Sequence, residues 1–228
     1  MIETKNLVRT FKNGDVVTSV LKGIDFKVED GEFIAIMGRS GAGKSTLLYQ
    51  ISLLDEPTSG EIVIDGHDTH TMTADEKMQF RLTKFGYVFQ DYALLPELTA
   101  LENVALPLLM QGKDRKTAYA ESTGSLSRVG LSHRLHSLPS RLSGGEQQRV
   151  SIARAVAHDP SIIFADEPTA NLDNESSRAV LDIFRELHKH GQTIIMVTHE
   201  EPFANEAQAI VRLDDGKITS ITRHSHVH

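Results

Sequence analysis

The chain has 228 residues, no cysteine, and a net charge of -7 from 24 basic and 31 acidic side chains. That length can bury a full core, the missing thiols remove disulfides and thiolate-bound metal, and the acidic balance argues against nucleic acid as a main partner. No apolar run approaches the roughly 20 residues that span a bilayer, and Met1-Ile2-Glu3-Thr4-Lys5 has no leader pattern, so the expectation is a cytosolic protein that meets a membrane only through a partner.

Residues 1 to 35 alternate apolar and polar positions, including Leu21, Ile24, Phe26 and Val28, with turns at Asn13-Gly14 and Asp30-Gly31. This pattern predicts antiparallel strands. Phe11 has two readings, a packed edge-strand residue or an aromatic platform for a purine. Phe33-Ile34-Ala35-Ile36-Met37 then reads as a buried strand, and Thr46-Leu47-Leu48-Tyr49-Gln50-Ile51 as a helix with one apolar face. Between them lies Gly38-Arg39-Ser40-Gly41-Ala42-Gly43-Lys44-Ser45, a G-x-x-x-x-G-K-S phosphate loop in its proper strand-turn-helix setting. Glycines let successive amides converge on an anion, and the helix start adds its positive end. Lys44 reaches the outer phosphates and Ser45 offers a hydroxyl to Mg²⁺. The chain is expected to bind a nucleoside triphosphate.

Residues 60 to 66 form another turn-bounded strand, and residues 73 to 80 a helix capped by Thr73 with Glu76 as its capping-box partner. Phe85-Gly86-Tyr87-Val88-Phe89 is a strand ending at Gln90, at a carboxyl edge where open α/β sheets place ligands; a loop-capping role is the alternative. From Asp91 to Arg141 strand signals vanish. Helices are expected from Leu98 to Met110 and from Arg115 to Val129, with Pro96, Pro107 and Pro139 as punctuation. Poor helix formers at Ser122-Thr123-Gly124-Ser125 predict a break there.

Leu142-Ser143-Gly144-Gly145-Glu146-Gln147-Gln148-Arg149 opens the next helix, read as a plain capped helix or a second anion-binding helix start. Ser161 to Glu167 is a buried strand that delivers Asp166 and Glu167 to its end. Adjacent acids there are costly unless a cation or a reaction needs them, so Asp166 is assigned to Mg²⁺ and Glu167 to general base, against a purely structural pair. Asn171-Leu172-Asp173 starts a helix with its apolar face at Val180, Ile183, Phe184 and Leu187. Gln192 to Thr198 is a core strand with His199 at its end, structural or in contact with a terminal phosphate. His224, His226 and His228 alternate at the tail, either as a metal site or as an unstructured end.

With these residues in view, the chain resembles the nucleotide-binding subunits of ATP-binding-cassette (ABC) transporters over roughly residues 1 to 220. LSGGEQQR at 142 to 149 matches the family signature, with Walker A at 38 to 46, the Q-loop at Gln90, Walker B at 162 to 167, the D-loop at 171 to 173 and the switch histidine at His199. The resemblance implies an α/β P-loop NTPase core with an antiparallel β subdomain and, at 91 to 141, an inserted helical subdomain within one 1 to 228 domain. It implies an ATPase using Mg²⁺ held by Ser45, Gln90 and Asp166, with Lys44, Gln90, Glu167 and His199 at the chemistry and Phe11 against adenine. Gly38, Arg39, Ser40, Gly41, Ala42, Gly43, Lys44, Ser45 and Thr46 of one copy would face Ser143, Gly144, Gly145 and Glu146 of a second across two ATP molecules. A membrane permease is the implied partner. Residues 89 to 107 are similar to the lipoprotein-releasing and macrolide-export subfamily. The same ATPase gating a cell-division or sensing complex, or a soluble ABC protein, are the competing expectations.

Overall fold

The computed structural model describes residues 1–224, and the predicted site at His226 and His228 lies outside the described residues. The chain divides into two units, Met1–Gln79 with Gly191–His228, and Phe80–His190. The helical segment expected at 91–141 lies within the second.

In the first unit, strands β1 (Ile2–Asn13) and β2 (Val16–Val28) form a long antiparallel ladder from Ile2↔Val28 to Asn13↔Val16. Strand β4 (Ser59–Ile64) takes the other edge of β1 and pairs with the short β5 (His67–Asp68), giving the order β2-β1-β4-β5. Alternation puts Ile2, Leu21, Ile24, Phe26, Val28, Ile62 and Ile64 inside. Strand β3 (Phe33–Met37) is buried at every position, as is β8 (Thr193–Val197). These continuous apolar runs suit central parallel strands covered on both faces. Strand β3 pairs in parallel with β8 and with β9 (Ala209–Asp214), and β10 (Lys217–Arg223) closes the edge antiparallel to β9. Helix α1 (Lys44–Ile51) and the one-turn helix α7 (Glu201–Ala204) complete this unit.

Helix α2 (Ala74–Lys84) has the expected capping box: the Thr73 hydroxyl accepts from the Glu76 amide at 3.2 Å, and the Glu76 carboxylate accepts from the Thr73 amide at 2.7 Å. In the second unit, β6 (Phe85–Val88) and β7 (Ile162–Asp166) run parallel. Phe80, Phe85 and Phe164 meet edge-on, at centroid separations of 5.4 and 4.9 Å. Helices α3 (Ala100–Met110), α4 (Arg115–Arg128), α5 (Gly144–Val156) and α6 (Asn174–Lys189) surround them, with a 3₁₀ turn at Pro139–Arg141.

Two expectations are corrected here. Pro107 does not punctuate: α3 runs through it, its carbonyl accepts from the Gln111 amide at 3.0 Å, and burial of Val104, Ala105 and Leu108 outweighs the lost donor. Helix α4 does not break at Gly124. The hydroxyls of Ser122, Thr123, Ser125 and Ser127 donate to the carbonyls four residues back, at 2.7, 2.8, 3.1 and 2.9 Å. Hydroxyls that compete with the backbone elsewhere are here consumed by the helix itself.

Candidate functional site

The candidate residues divide between the two units. In the first, β3 delivers the chain to Gly38, where a side-chain Cβ would lie 2.2 Å from the Leu213 carbonyl oxygen. The Ala42 amide bonds the Arg39 carbonyl at 3.1 Å to close the turn. Gly43, with φ of +100°, is the N-cap of α1 and supplies no side-chain cap. The first turn of α1 therefore receives no cap from the side chain of its N-cap residue. Lys44 is 8% exposed, and its Nζ lies 3.1 and 3.2 Å from the carbonyl oxygens of Gly38 and Arg39, so the ammonium sits over the loop. Arg39, Ser40 and Gly41 are exposed and Ala42 is buried. An uncapped helix start, left-handed glycines and an adjacent ammonium form an anion cradle that suits a polyphosphate.

Ile36 of β3 stands opposite Val197 of β8 in a parallel ladder, which puts His199 and the loop at the same carboxyl edge. His199 is exposed. Phe11 is 43% exposed on β1, and the Arg9 guanidinium lies over its ring, 4.5 Å from the centroid, while bonding Asp55 at 2.7 Å. One face of the ring is thus engaged by a cation. Arg9 and Phe11 are two apart on one strand and share a face, so this pairing was legible in the sequence.

In the second unit, Val88 of β6 pairs with Ala165 of β7, so Asp166 at the end of β7, Glu167 just after it and Gln90 after β6 lie at the carboxyl ends of neighbouring strands. Asp166 is 5% exposed. Glu167 is half-buried and has a φ of +44°. A non-glycine residue in the left-handed region costs of order 1–3 kcal/mol and persists only where its surroundings enforce it. Hard oxygen donors at Asp166 and Ser45 are of the type Mg²⁺ takes. Among the described residues no group of three or more His, Cys, Asp or Glu is placed to hold a metal.

Helix α5 starts at Ser143, whose hydroxyl accepts from the Glu146 amide at 3.2 Å. The Glu146 carboxylate accepts from the Ser143 amide and from Arg134 Nε, both at 2.8 Å. Burial works to raise the Glu146 pKa, but these two donors bring it below the ordinary carboxylate value. Glu146 is held as a helix cap. Gly144 and Gly145 let other segments of this chain approach: a Cβ at Gly144 would be 2.8 Å from the Tyr92 hydroxyl, and one at Gly145 2.5 Å from Ser176 Oγ. Asp173 caps α6 through the Ser176 amide at 2.8 Å, and Asn171 Nδ2 donates to the Gln90 carbonyl at 3.1 Å. Sequence reasoning passed over Gln148, Arg154 and Asn103. The available signal was a polar residue on an apolar helix face: Gln148 is spaced with buried Gly145, Ser151, Ile152 and Ala155.

Residues 21–170 match the family described as ABC transporter. An uncharacterised ABC transporter ATP-binding protein of Methanocaldococcus jannaschii is 48% identical over 97% of this chain and 99% of its own length. The macrolide export ATP-binding/permease protein MacB of Mannheimia succiniciproducens is 48% identical over 98% of this chain, which spans 35% of that protein. Among solved structures, the dimeric post-hydrolysis state of the ATP-binding cassette MJ0796 bound to ADP and Pi is similar, with a TM-score of 0.92 at 38% identity over 98% of each chain.

Proposed function

The chain belongs to the ABC transporter family as an ATP-binding, ATP-hydrolysing cassette, and from that premise we propose that two copies close around ATP to drive a separate membrane permease. The observation that carries this reading is the cradle at α1, where Gly43 supplies no cap and Lys44 is buried over the loop. In this reading the α1 amides and Lys44 hold the outer phosphates and Phe11 stacks on adenine. Ser45, Gln90 and Asp166 would hold Mg²⁺, which when bound would neutralise charge on the phosphate oxygens. Glu167 takes the proton of the attacking water, and His199 contacts the terminal phosphate.

Ser143, Gly144, Gly145 and Glu146 of the second copy complete each site, a reading supported by the similarity to a dimeric cassette. ATP then selects the closed dimer by binding it better than the open one. No helix of the described residues is long and apolar enough to cross a membrane. The permease would be a partner that holds this subunit on the inner face of the cell membrane. Support comes from relatives that carry ATP-binding and permease functions in one named protein. A groove of about 250 Å³ in the second unit, with an apolar floor that includes Phe85, Leu106 and Met110 and with Arg81, Arg154 and His158 also lining it, suits a largely apolar docking segment of such a permease. Met110, 64% exposed, stands at it.

Glu167→Gln tests the chemistry and the dimer together. Turnover should fall by about 10²–10³-fold with ATP binding retained, and size-exclusion chromatography with ATP should give a dimer. A variant that stays monomeric at saturating ATP would sink the two-copy reading.

A further inference from the structure

Gln148 is fully buried in α5, and its carboxamide nitrogen reaches two main-chain carbonyls. It donates to Pro168 O at 2.7 Å and to Phe89 O at 3.4 Å. Pro168 follows Glu167 and Phe89 precedes Gln90, so one amide holds the chain beside each of two residues assigned to the chemistry. Its oxygen, Oε1, is buried with no hydrogen-bond partner. An orphaned buried acceptor is costly, so packing alone would be better met by Leu or Met at this position. The amide is there for its two N–H groups.

The chain it grips is held only in part by its own backbone, through Tyr92 N on Phe89 O at 3.3 Å, Ala93 N on Asp91 O at 2.7 Å and Ala170 N on Glu167 O at 3.2 Å. Glu167, Tyr92 and Ala93 lie in the left-handed region at φ of 44°, 64° and 48°. Around Gln90 three further carbonyls are held by side chains: Asn171 Nδ2 bonds Gln90 O at 3.1 Å, Arg154 Nη2 bonds Tyr92 O at 2.9 Å, and Arg154 Nη1 bonds Ala93 O. Five loop carbonyls thus accept from side chains of α5 and of the turn after β7, and Gln148 is the one among these donors that bonds carbonyls beyond both β6 and β7.

We infer that Gln148 is a positioning residue that sets the carboxyl ends of β6 and β7 relative to each other, so that Gln90 and Glu167 are aligned together. The inference rests on the proposed roles of those two residues. It assigns Gln148 no contact with nucleotide.

The test uses the full chain and compares Gln148→Met, Gln148→Asn and Gln148→Glu. Gln148→Met keeps the shape without donors and should fold with an unchanged melting temperature. Its kcat should fall about tenfold or more while the KM for ATP stays within about threefold, because phosphate binding lies elsewhere. Gln148→Asn keeps the donors one methylene short and should recover part of kcat. Gln148→Glu faces two carbonyls with a carboxylate, and its activity should rise as pH falls, since the protonated acid regains one O–H donor. A Gln148→Met protein with kcat within about twofold of the parent overturns the role, as does a kcat loss that follows the melting temperature across the three variants. Glu167→Gln run beside them separates two failures. Retained turnover there removes the premise and the proposal with it; lost turnover there with normal Gln148→Met overturns the positioning role alone.

Discussion

Replacing Asn103 by alanine should loosen the chain that leads into α3 without touching the chemistry. Asn103 is fully buried. Its Nδ2 donates to the carbonyls of Leu95, Leu98 and Thr99 at 3.1, 2.9 and 3.1 Å, and its Oδ1 accepts from the Leu95 amide at 2.8 Å. Two of these carbonyls keep a second donor, since Leu98 N bonds Leu95 O at 3.1 Å and Asn103 N bonds Thr99 O at 2.9 Å. The Leu95 amide and the Leu98 carbonyl lose their side-chain partner. At roughly 1–3 kcal/mol for each unsatisfied group, eased by water at the exposed Leu95, the variant should lose about 2–4 kcal/mol. That is a large part of the roughly 5–15 kcal/mol typical of a folded domain, yet leaves it folded. Urea unfolding followed by circular dichroism reads the loss, and hydrogen exchange at the Leu95 amide localises it. Basal ATP turnover should stay within about twofold. A loss below about 1 kcal/mol, or unchanged exchange at Leu95, would refute the assignment of Asn103 as the staple of this segment.

Two more outcomes follow from the same unit. A Cβ at Gly124 would meet nothing within 4 Å, so Gly124→Ala should raise stability by about 0.5–1 kcal/mol in urea melts; a decrease would show that the α4 backbone is not regular there. Burial pushes the His158 pKa below its ordinary value of 6.5, partly opposed by the Phe85 carbonyl, 2.9 Å from Nε2. With a folded pKa below the unfolded one, the unfolded chain binds the proton first, so stability is full above pH 6.5 and declines as pH falls through that value. His158→Gln should flatten this stretch of the profile, and a wild-type stability that does not decline as pH falls below 6.5 would contradict the assignment.

Local features were legible from residues alone. The phosphate loop needs only its glycines, Lys44 and flanking strand and helix, and β3 and β8 announce themselves as unbroken apolar runs. The Thr73–Glu76 box and the Ser143 cap depend on neighbours three residues apart. Glu146 illustrates the boundary. Its spacing from Ser143 marks a capping box, whereas its second partner, Arg134, comes from a loop twelve residues earlier, which spacing does not reveal.

Gly124 was misjudged because propensity counts serine and threonine as competitors of the helix; four i−4 bonds turn them into participants once α4 is packed. The same limit applies to the pairs around the candidate site. Gly144 is needed for Tyr92, Gly145 for Ser176, and Gln148 for carbonyls 59 and 20 residues away in sequence. The sequence by itself determined the strands, the helix starts and the cradle, because steric and hydrogen-bond preferences act over a few residues. Only the tertiary structure decided which buried amide meets which loop carbonyl, because that depends on how distant segments close on one another.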